Sequence, residues 1–580
     1  MYFRPVRYKF STPNPSSHFI EIEMTVDDID REEIFFQLPS WRPGRYELGN
    51  FAKNIQHWNA FDKDGNALPF KKITKDCWKV KTSGKGSVHI KYNYYAVQLD
   101  AGACWLDEDQ LYINPIHCCF YVPEQMHEPC FLEFDLPKNF RFATSLIKLK
   151  DQVLKANDYH ELVDSPVIAS ASLQHNSYSV NDINFHIWFN GTCKPDWERI
   201  LTDFRNFTVE QIETMGSFPS GEYHFLVQLL PIKFYHGVEH LNSTVLALGP
   251  GTKLMSDQMY VDFIGVASHE LFHSWNVKTI RPAEMMPYDY TKENYSRLGF
   301  VYEGVTTYYG DLFLARSGVY SVEQFLAEIN VHVQKHFDNY GRFNLSVADS
   351  SFDTWLDGYV QGIPHRKTSI YDEGCLIALM TDIMIRKKTS NEHSLDDVIR
   401  NLYHDFGKQK IGYTEHDYIS VIENIIGESI ADFFIDFVYG TDSYEKLLSE
   451  LLNHAGCELQ KLSSPENYEA RFGFKTVVES GVTKIVAVAP NSIAERAGLG
   501  KDDEVIALNE IKLESNLNDL CRYFSDEKIV ITIFTPQKKL RDIALAPGVE
   551  SYYHKYKIVK RADVLPEQKQ FFRRWLKSDF

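Results

Sequence analysis

Two histidines four residues apart, with a glutamate directly after the first, stand in the segment His269-Glu-Leu-Phe-His273. On a helix, residues i and i+4 share a face, so both imidazoles can bind one metal ion while Glu270 handles a proton beside it. The preceding segment, Val261-Asp-Phe-Ile-Gly-Val-Ala-Ser268, is mostly apolar and compatible with a buried helix. We therefore predict a metal site here. The alternative is a pair of histidines on an ordinary amphipathic helix.

A catalytic zinc ion has three protein ligands and one open position, so a third ligand is needed. Downstream, the apolar and aromatic segment Phe300-Val-Tyr-Glu-Gly-Val-Thr-Thr-Tyr-Tyr309 contains a single acidic residue, Glu303. Burying a lone carboxylate is costly unless a cation offsets its desolvation. Glu303 is therefore the predicted third ligand, and a surface glutamate at the start of a helix is the alternative.

The elements that must position these residues change in type along the chain. His18 to Val26 and Ser87 to Val97 alternate apolar and polar residues. This alternation predicts antiparallel strands with one exposed face, as in a β-sandwich. Phe185 to Phe189 and His224 to Leu230 are further predicted strands that lead into the middle of the chain.

A helical pattern follows from about residue 256 to residue 457. Met259 to Val277 and Cys375 to Ile385 carry apolar residues typical of helices, and Ser394 is a predicted N-cap. A Ser/Pro/Asn-rich stretch at 463–467 then precedes a module of short strands. We predict an N-terminal β-domain at 1–170, a small sheet followed by helices at 171–462, a third domain at 466–547, and a tail at 548–580.

The charge balance limits the classes of partner. The 580 residues include 61 basic and 79 acidic side chains, a net charge of −18. Such an acidic chain is expected to bind neither nucleic acid nor anionic membrane. No segment reaches the roughly 18 apolar residues of a membrane helix. Nine dispersed cysteines, without a Cys-x-x-Cys motif or an apolar leader, indicate reduced thiols in a cytoplasmic protein.

Two segments together resemble a known family: His269-Glu-Leu-Phe-His-Ser-Trp-Asn-Val-Lys-Thr-Ile-Arg-Pro282 and Tyr302-Glu-Gly-Val-Thr-Thr-Tyr-Tyr309. They are similar to the PDZ-containing glycyl aminopeptidases, gluzincin zinc metallopeptidases related to aminopeptidase N. Leu38-Pro-Ser-Trp-Arg-Pro-Gly-Arg-Tyr46 is similar to the family's N-terminal β-domain signature. The resemblance implies a mainly helical, thermolysin-like catalytic domain with one Zn²⁺ held by His269, His273 and Glu303, and Glu270 as general base.

Two further segments resemble substrate-binding parts of these enzymes. Gly237-Val-Glu-His240 resembles the exopeptidase loop, which implies that Glu239, with Gly237 beside it, binds the free α-ammonium of the substrate. Ser369-Ile-Tyr-Asp-Glu-Gly374 is similar to a Tyr-x-Lys-Gly segment, which implies that Tyr371 donates to the oxyanion, although Glu373 replaces the usual lysine. An exposed glutamate after a strand and a packed aromatic at a helix start are the alternatives.

The C-terminal module resembles a PDZ domain. Arg471-Phe-Gly-Phe-Lys475 is similar to the carboxylate-binding loop, with Phe472, Gly473 and Phe474 as its candidate residues. Ala489-Pro-Asn-Ser-Ile-Ala-Glu-Arg-Ala-Gly-Leu499 is the pattern that follows the second strand of such domains. PDZ domains bind extended C-terminal peptides by β-augmentation, so such a peptide is a candidate partner. A structural domain packed on the catalytic body is the alternative.

These features predict a multidomain α+β zinc aminopeptidase that hydrolyses the N-terminal peptide bond of peptides with a free amino terminus. A preference for Gly or Ala is implied only by the resemblance. Two alternatives stay open. One is a zinc endopeptidase with PDZ-guided substrate delivery, and the other is a catalytically silent gluzincin that serves as a PDZ interaction scaffold.

Overall fold

The computed structural model describes residues 4–82, 84, 86–360, 362–525 and 527–580. The chain forms two compact units that cut across the predicted segment 171–462. The first unit comprises Met1–Ser321, Phe352–Tyr359 and His393–Glu428, and the second comprises Val322–Ser351, Val360–Glu392 and Ser429–Phe580.

The N-terminal part of the first unit consists of three sheets. Phe19–Ile29 and Gly86–Tyr95 pair antiparallel and bury their apolar positions, which confirms the two strands predicted from alternation. Val6–Ser11 runs parallel to Cys130–Asp135, contrary to the antiparallel prediction, because the long connection between them permits a crossover. The seven-stranded sheet has the order Ile147–Lys150, Val153–Ala156, Cys130–Asp135, Val6–Ser11, Phe19–Ile29, Gly86–Tyr95, Ile55–Asp62. The three-stranded sheet has the order Glu33–Gln37, Cys77–Lys81, Phe70–Thr74. The four-stranded sheet has the order Arg141–Ala143, Val167–Ser170, Gln110–Ile113, Trp105–Leu106.

A five-stranded mixed sheet follows and confirms the strands predicted at 185–189 and 224–230. An apolar cluster that includes Tyr112 and Leu226 joins it to the four-stranded N-terminal sheet. Two of the inner strands, Glu222–Leu229 and Ser243–Gly249, are buried on both faces, as parallel strands usually are. The order is Gln174–Val180, Ile183–Gly191, Glu222–Leu229, Ser243–Gly249, Phe234–Glu239, so the last strand forms an edge.

The helix predicted from Met259 is present but ends at Phe272, before Val277. The last turn tightens there: Ser274 N–H donates to the Leu271 carbonyl and Trp275 N–H to the Phe272 carbonyl, each three residues back. The first unit contains the helices Pro115–Cys118, Tyr159–Val163, Trp197–Met215, Asp257–Phe272, Thr306–Arg316, Thr354–Asp357, Leu395–Leu402 and Glu415–Ile426, with π-helical turns at Phe300–Val305 and Tyr403–Gly407.

The second unit confirms the helix predicted at Cys375 to Ile385, which lies within Ile370–Lys388. The predicted tail instead contains a strand and a helix, because Phe571, Phe572 and Trp575 supply an apolar face. Helices are Val322–Asp338, Ile370–Lys388, Ala431–Phe433, Glu445–His454, Asn467–Phe472, Ile493–Ala497, Leu517–Tyr523 and Pro566–Leu576; Val347–Phe352 ends at the unit boundary. A π-helical turn spans Phe434–Val438. Cys457–Leu462 pairs with Lys555–Lys560 in a two-stranded sheet. The six-stranded sheet has the order Phe474–Glu479, Val482–Val488, Glu504–Leu508, Ile529–Phe534, Leu540–Leu545, and its short sixth strand, Ile511–Lys512, pairs with Glu504–Leu508.

The architecture confirms a multidomain α+β protein with a β-rich N-terminal region and a helical part after it. Ser394 caps Leu395–Leu402 through a capping box with Asp397, as its sequence predicted. All nine cysteines carry free thiols. Across the described ranges, each helix is too short or too polar to cross a bilayer.

Candidate metal centre

The three side chains predicted as metal ligands meet in the first unit. The Nε2 atoms of His269 and His273 are 3.0 Å apart. Glu303 Oε2 lies 3.4 Å from His273 Nε2 and 4.0 Å from His269 Nε2. Ligand atoms about 2.0–2.1 Å from a tetrahedral zinc ion are roughly 3.4 Å apart. The two imidazoles and the carboxylate therefore fit one zinc ion.

Two helical segments bring these ligands together. His269 lies in the last turn of Asp257–Phe272, and His273 is the residue directly after it. Glu303 lies in the π-helical turn Phe300–Val305, which runs directly into Thr306–Arg316. Such turns re-aim side chains and are frequent at functional sites. The prediction of Glu303 as a buried residue in an apolar segment agrees with its exposure of 2%.

The two helices touch directly behind the ligands. Ser268 Oγ donates a 2.7 Å hydrogen bond to the Gly310 carbonyl. A Cβ on Gly310 would stand 3.2 Å from His269 Cα, so a larger residue would push the helices apart. Gln211 Nε2 donates to the Ser268 carbonyl at 2.9 Å. The contact of Ser268 and His269 with Gly310 holds the His269 backbone at a fixed distance from the helix that continues the Glu303 segment.

Asn276, which the sequence reasoning missed, orients His273. His273 Nδ1 lies 2.6 Å from the Asn276 carbonyl oxygen, which can only accept, so Nδ1 carries the proton. In the neutral form of His273, which metal binding requires, the Nε2 lone pair then faces the other ligands. The Asn276 side chain donates to the Val301 carbonyl at 3.0 Å and to Thr306 Oγ1 at 3.1 Å. Asn276 thus connects both ligand segments. In the sequence, the only indication of this role was the position of Asn276 within the motif that resembles the family.

Glu270, the predicted general base, is 5% exposed and lies beside the ligands. A Cβ on Gly237 would overlap Glu270 Oε1, so the edge strand can approach this carboxylate only through a glycine. Glu270 Oε2 has no hydrogen-bond partner within the described part of the chain. This geometry leaves one carboxylate oxygen available to accept a proton.

Glu239, the predicted ammonium anchor, belongs to the same cluster. Carboxylate oxygens of Glu239 and Glu270 and a ring nitrogen of His273 lie within 4.8 Å of one another. Glu239 is 4% exposed, and its Oε1 has no hydrogen-bond partner among the residues described. Gly44, at φ +80°, lies against this carboxylate so closely that a Cβ would overlap it. A buried acceptor without a donor is suited to an ammonium group.

The electrostatics indicate an excess of negative charge. Burial raises the pKa of the Glu270 carboxyl well above its usual range, and the Glu239 and Glu303 carboxylates add to the increase. Burial alone would lower the pKa of His273, but the Glu303 carboxylate raises it to about 9. A divalent cation would offset this excess.

The predicted oxyanion donor, Tyr371, is the second residue of Ile370–Lys388 in the second unit and is half-buried. A second tyrosine, Tyr46, lies in the first unit, and the sequence reasoning gave it no role. Its hydroxyl is buried with no hydrogen-bond partner among described residues. Its ring lies 5.3 Å from that of Tyr302, and burial with the nearby Glu303 and Glu239 charges raises its pKa.

The predicted carboxylate-binding loop of the C-terminal module is largely internal. Phe472 and Phe474 are buried in the core of the module. Gly473 adopts φ +81°, and Tyr552 of the following segment lies against it. Tyr552 N–H donates to the Ala470 carbonyl at 2.9 Å. The role of this loop in peptide binding stays a prediction.

A second group of two histidines and a glutamate lies on the mixed sheet: His186, Glu222 and His224. Their donor atoms also fall within 4.8 Å of one another. His175 Nε2 is 3.1 Å from His186 Nδ1. The sequence reasoning missed this group because its members come from different strands and share no motif spacing.

Comparison with known proteins finds two ranges of the chain that match family models. Residues 7–171 match the peptidase M61 N-terminal domain, and residues 262–377 match the M61 glycyl aminopeptidase model. The second match spans His269, Glu303 and Tyr371. The chain therefore contains segments similar to both M61 peptidase domains. Among curated proteins, none matches the chain.

Solved structures supply a similar fold. An aminopeptidase N family protein from Idiomarina loihiensis is 27% identical, with a TM-score of 0.91 over 98% of this chain and 100% of that one. A mutant M1 zinc metallopeptidase from Deinococcus radiodurans, bound to a Tyr-Ser-Ala substrate, is 13% identical. It gives a TM-score of 0.47 over 76% of this chain and 94% of that one. The first similarity shows that the chain has the fold of an aminopeptidase N family protein.

Proposed function

We propose that this chain is a zinc-dependent aminopeptidase acting on peptides with a free amino terminus. The observation that carries the proposal is the meeting of one three-ligand group with two further buried carboxylates, Glu270 and Glu239. Each of these two has an oxygen with no hydrogen-bond partner within the described part of the chain. The similarity of residues 262–377 to the M61 glycyl aminopeptidases supports the same reaction class.

His269, His273 and Glu303 would hold the zinc ion, which when bound supplies a Lewis acid that acidifies water and polarises the peptide carbonyl. Glu270 accepts the proton of the attacking water and returns it to the leaving amine. Burial already weakens the acidity of this carboxyl, which favours proton acceptance and later donation by the same group. Glu270 is therefore the proton-transfer residue of the proposed reaction.

Glu239 restricts the reaction to the first peptide bond. Because a Glu239 carboxylate oxygen lies within 4.8 Å of a Glu270 oxygen and a His273 ring nitrogen, an ammonium bound to Glu239 keeps the first residue of the peptide at the cluster. The next residues can continue along the edge strand Phe234–Glu239. His240 N–H bonds the Ser243 carbonyl, so ladder alternation points the backbone groups of Gly237 away from the neighbouring strand.

The substrate test uses Gly-, Ala- and Leu-nitroanilides together with N-acetyl-Ala-nitroanilide. We expect hydrolysis that requires zinc, that is fastest for Gly or Ala, and that falls sharply on acetylation. Glu239→Gln should reduce the rate on free-amine substrates, while Glu222→Gln on the mixed sheet serves as the matched control. Equal hydrolysis of acetylated peptides would support the endopeptidase alternative. A zinc-loaded protein that cleaves none of the substrates would support the scaffold alternative.

Tyr371 is proposed as the hydroxyl donor to the oxyanion. Loss of such a donor typically lowers kcat about 10²–10³-fold, so Tyr371→Phe should show this loss with intact zinc binding. Tyr46→Phe is the matched variant, because the Tyr46 hydroxyl is buried near Glu303. A large loss in Tyr46→Phe and none in Tyr371→Phe would transfer the role to Tyr46.

We also propose that residues 466–547 form a PDZ domain that binds a C-terminal peptide. Five strands in one sheet with a short sixth, and the helices Ile493–Ala497 and Leu517–Tyr523, support the fold. The position of Tyr552 against Gly473 argues that a peptide would have to displace this segment. Tyr552→Ala should therefore strengthen binding of a C-terminal peptide library, and no binding by either form would contradict the proposal.

A further inference from the structure

Arg42 is a buried charge with few partners. The residue is 6% exposed, and its guanidinium makes one long hydrogen bond, 3.4 Å from Nη1 to the Pro43 carbonyl. Across the described residues, no carboxylate lies within 4.0 Å of it. Burying an arginine whose N–H donors lack acceptors is costly, so a bound anion that accepts from them would stabilise this side chain.

The guanidinium lies on the wall of a cavity of about 180 Å³ in the first unit. A Cβ on Gly102 would overlap its Nη2, Cζ and Nε atoms, so the guanidinium lies flat against the Gly102 backbone. His117, on the same cavity, is 8% exposed and its Nε2 has no hydrogen-bond partner among described residues. Two buried nitrogen groups therefore face one small cavity.

Asp100 is the nearest candidate counter-ion, and its oxygens are already engaged. Asp100 Oδ1 accepts from Gly102 N–H at 2.7 Å, and Oδ2 accepts from Gln98 Nε2 at 2.5 Å. Burial alone would raise the pKa of Asp100, but the Arg42 charge lowers it, so the two charges interact although no hydrogen bond joins them. Asp100 therefore reduces the cost of burying Arg42 but leaves its N–H donors available.

One short loop carries Arg42, on the cavity wall, together with residues that contact the candidate active site. Gly44 of this loop lies against the Glu239 carboxylate, and Tyr46 packs on Tyr302, which precedes Glu303. Arg42 itself is close enough to act electrostatically on Glu270. The same loop thus carries the buried Arg42 and contacts the ammonium anchor.

We propose that Arg42 binds the C-terminal carboxylate of a short peptide whose ammonium is bound by Glu239. This inference rests on the proposed aminopeptidase function and gives its substrate class: free peptides of a few residues with both ends charged. Arginine is suited to this role because its fork of N–H donors matches a carboxylate with two parallel hydrogen bonds. The His117 imidazole adds a neutral donor, since burial and the Arg42 charge lower its pKa to about 3.

The test compares Gly-Ala with Gly-Ala-amide, which differ only in the terminal charge. The zinc-loaded wild-type protein should show a higher kcat/KM for the acid, and Arg42→Gln should reduce that preference roughly 10- to 100-fold. Arg7→Gln is the control: it removes the same charge from the first unit, but Arg7 lies outside the cavity lining and its Nη2 pairs with Asp27 Oδ2 at 2.6 Å. Equal losses in both variants, or no acid preference in the wild type, would overturn the proposal.

A binding measurement separates this proposal from the proposed function. Zinc-loaded Glu270→Gln protein is titrated by calorimetry with Gly-Ala and with its amide, so that no turnover is needed. Tighter binding of the acid supports the Arg42 site even if Arg42→Gln fails to fold, and equal binding overturns it. Absence of hydrolysis by the wild type, together with tighter binding of the acid, would reject the aminopeptidase function while keeping the carboxylate site.

Discussion

The first unit contains two groups with the same composition, two histidines and one glutamate. The two groups differ in which ring nitrogen of a histidine carries the proton. The helix trio is His269, His273 and Glu303, and the sheet trio is His186, Glu222 and His224; in both, the donor atoms lie within 4.8 Å of one another. In the helix trio, His273 Nδ1 donates to a carbonyl, so its Nε2 lone pair faces the other ligands. The donor set alone therefore does not distinguish a metal centre.

In the sheet trio the tautomer is reversed. Trp188 Nε1, which can only donate, bonds His224 Nδ1 at 3.2 Å, so the proton of neutral His224 is on Nε2. That Nε2 points at Glu222 Oε1, 3.6 Å away, and offers a proton where a metal needs a lone pair. The neighbours of each histidine, rather than the histidines themselves, decide which group can bind a cation. This comparison predicts different responses to matched substitutions.

The largest difference is expected when a ligand is removed. His273→Ala should lose bound zinc and reduce peptidase activity to background, because two ligands in a buried acidic cluster cannot hold a catalytic ion. His224→Ala should keep both zinc and activity. Zinc content after dialysis, with hydrolysis of Ala-nitroanilide, checks both. Zinc retained by His273→Ala and lost by His224→Ala would reverse the comparison.

The next largest effect concerns Glu270, which lies beside the helix trio, compared with Glu222, which belongs to the sheet trio. Glu270→Gln should keep zinc but lower kcat about 10²–10⁴-fold, because an amide cannot accept the proton of the attacking water. Glu222→Gln, the matched change on the sheet, should leave kcat within about twofold. Steady-state kinetics and zinc content of both purified variants test this. Full activity in Glu270→Gln would remove it from the reaction.

A smaller effect is expected from the residues that orient the imidazoles. Asn276→Ala removes the two hydrogen bonds that hold the His273 turn against the Glu303 segment. Loss of such support typically weakens metal affinity 10- to 100-fold, with about tenfold expected here. Trp188→Phe, which removes the donor to His224, should not change zinc affinity. Competition with a fluorescent chelator measures both affinities, and equal values for the two variants would contradict the orienting role.

The smallest effect is a pH dependence of stability from His186 of the sheet trio and from His175, which lies beside it. Burial and the neighbouring His186 lower the pKa of His175 to about 4, and burial also lowers the pKa of His186. Below pH about 6.5 the unfolded chain binds protons that the folded chain does not, so stability falls as the pH drops towards 4. Solvent screening at this partly exposed cluster limits the effect to about 1 kcal/mol.

Thermal unfolding at pH 7 and pH 5 tests this sign. The wild-type Tm should fall by about 1–3 °C more than that of His175→Asn over this interval. His273 should behave in the opposite sense to His175, because the Glu303 carboxylate raises its pKa to about 9 in the absence of metal. If the Tm of His175→Asn falls as much as that of the wild type between pH 7 and pH 5, His175 does not contribute to the pH dependence of stability.

Local patterns predicted many elements correctly. Alternation identified Phe19–Ile29 and Gly86–Tyr95, because one face of each strand is buried and the other is not. The parallel pairing of Val6–Ser11 with Cys130–Asp135 was not predictable, since strand partners far apart in sequence leave no local signal. The strand and helix after residue 548 were missed because basic residues interrupt the buried aromatic positions.

The candidate site was predictable where its residues share one short segment. The spacing of His269 and His273 follows from helix geometry, and Glu303 stands out as the single acid in an apolar stretch. Arg42 lies far from these residues along the chain, and its burial depends on Gly102 and on the loop that carries Gly44. The sheet trio was missed for the same reason, because its histidines meet only when separate strands pair.

The sequence by itself determined the donor atoms, their helical spacing and the acidic character of the chain. Those properties depend on residue type and on the spacing of residues a few positions apart, and local backbone geometry converts that spacing into positions on a helix face. Only the tertiary structure decided the tautomer of His273, the approach of Gly237 to Glu270, and the burial of Arg42 beside a small cavity. Each of these depends on contacts between segments distant in sequence, because burial and hydrogen bonding are set by packing.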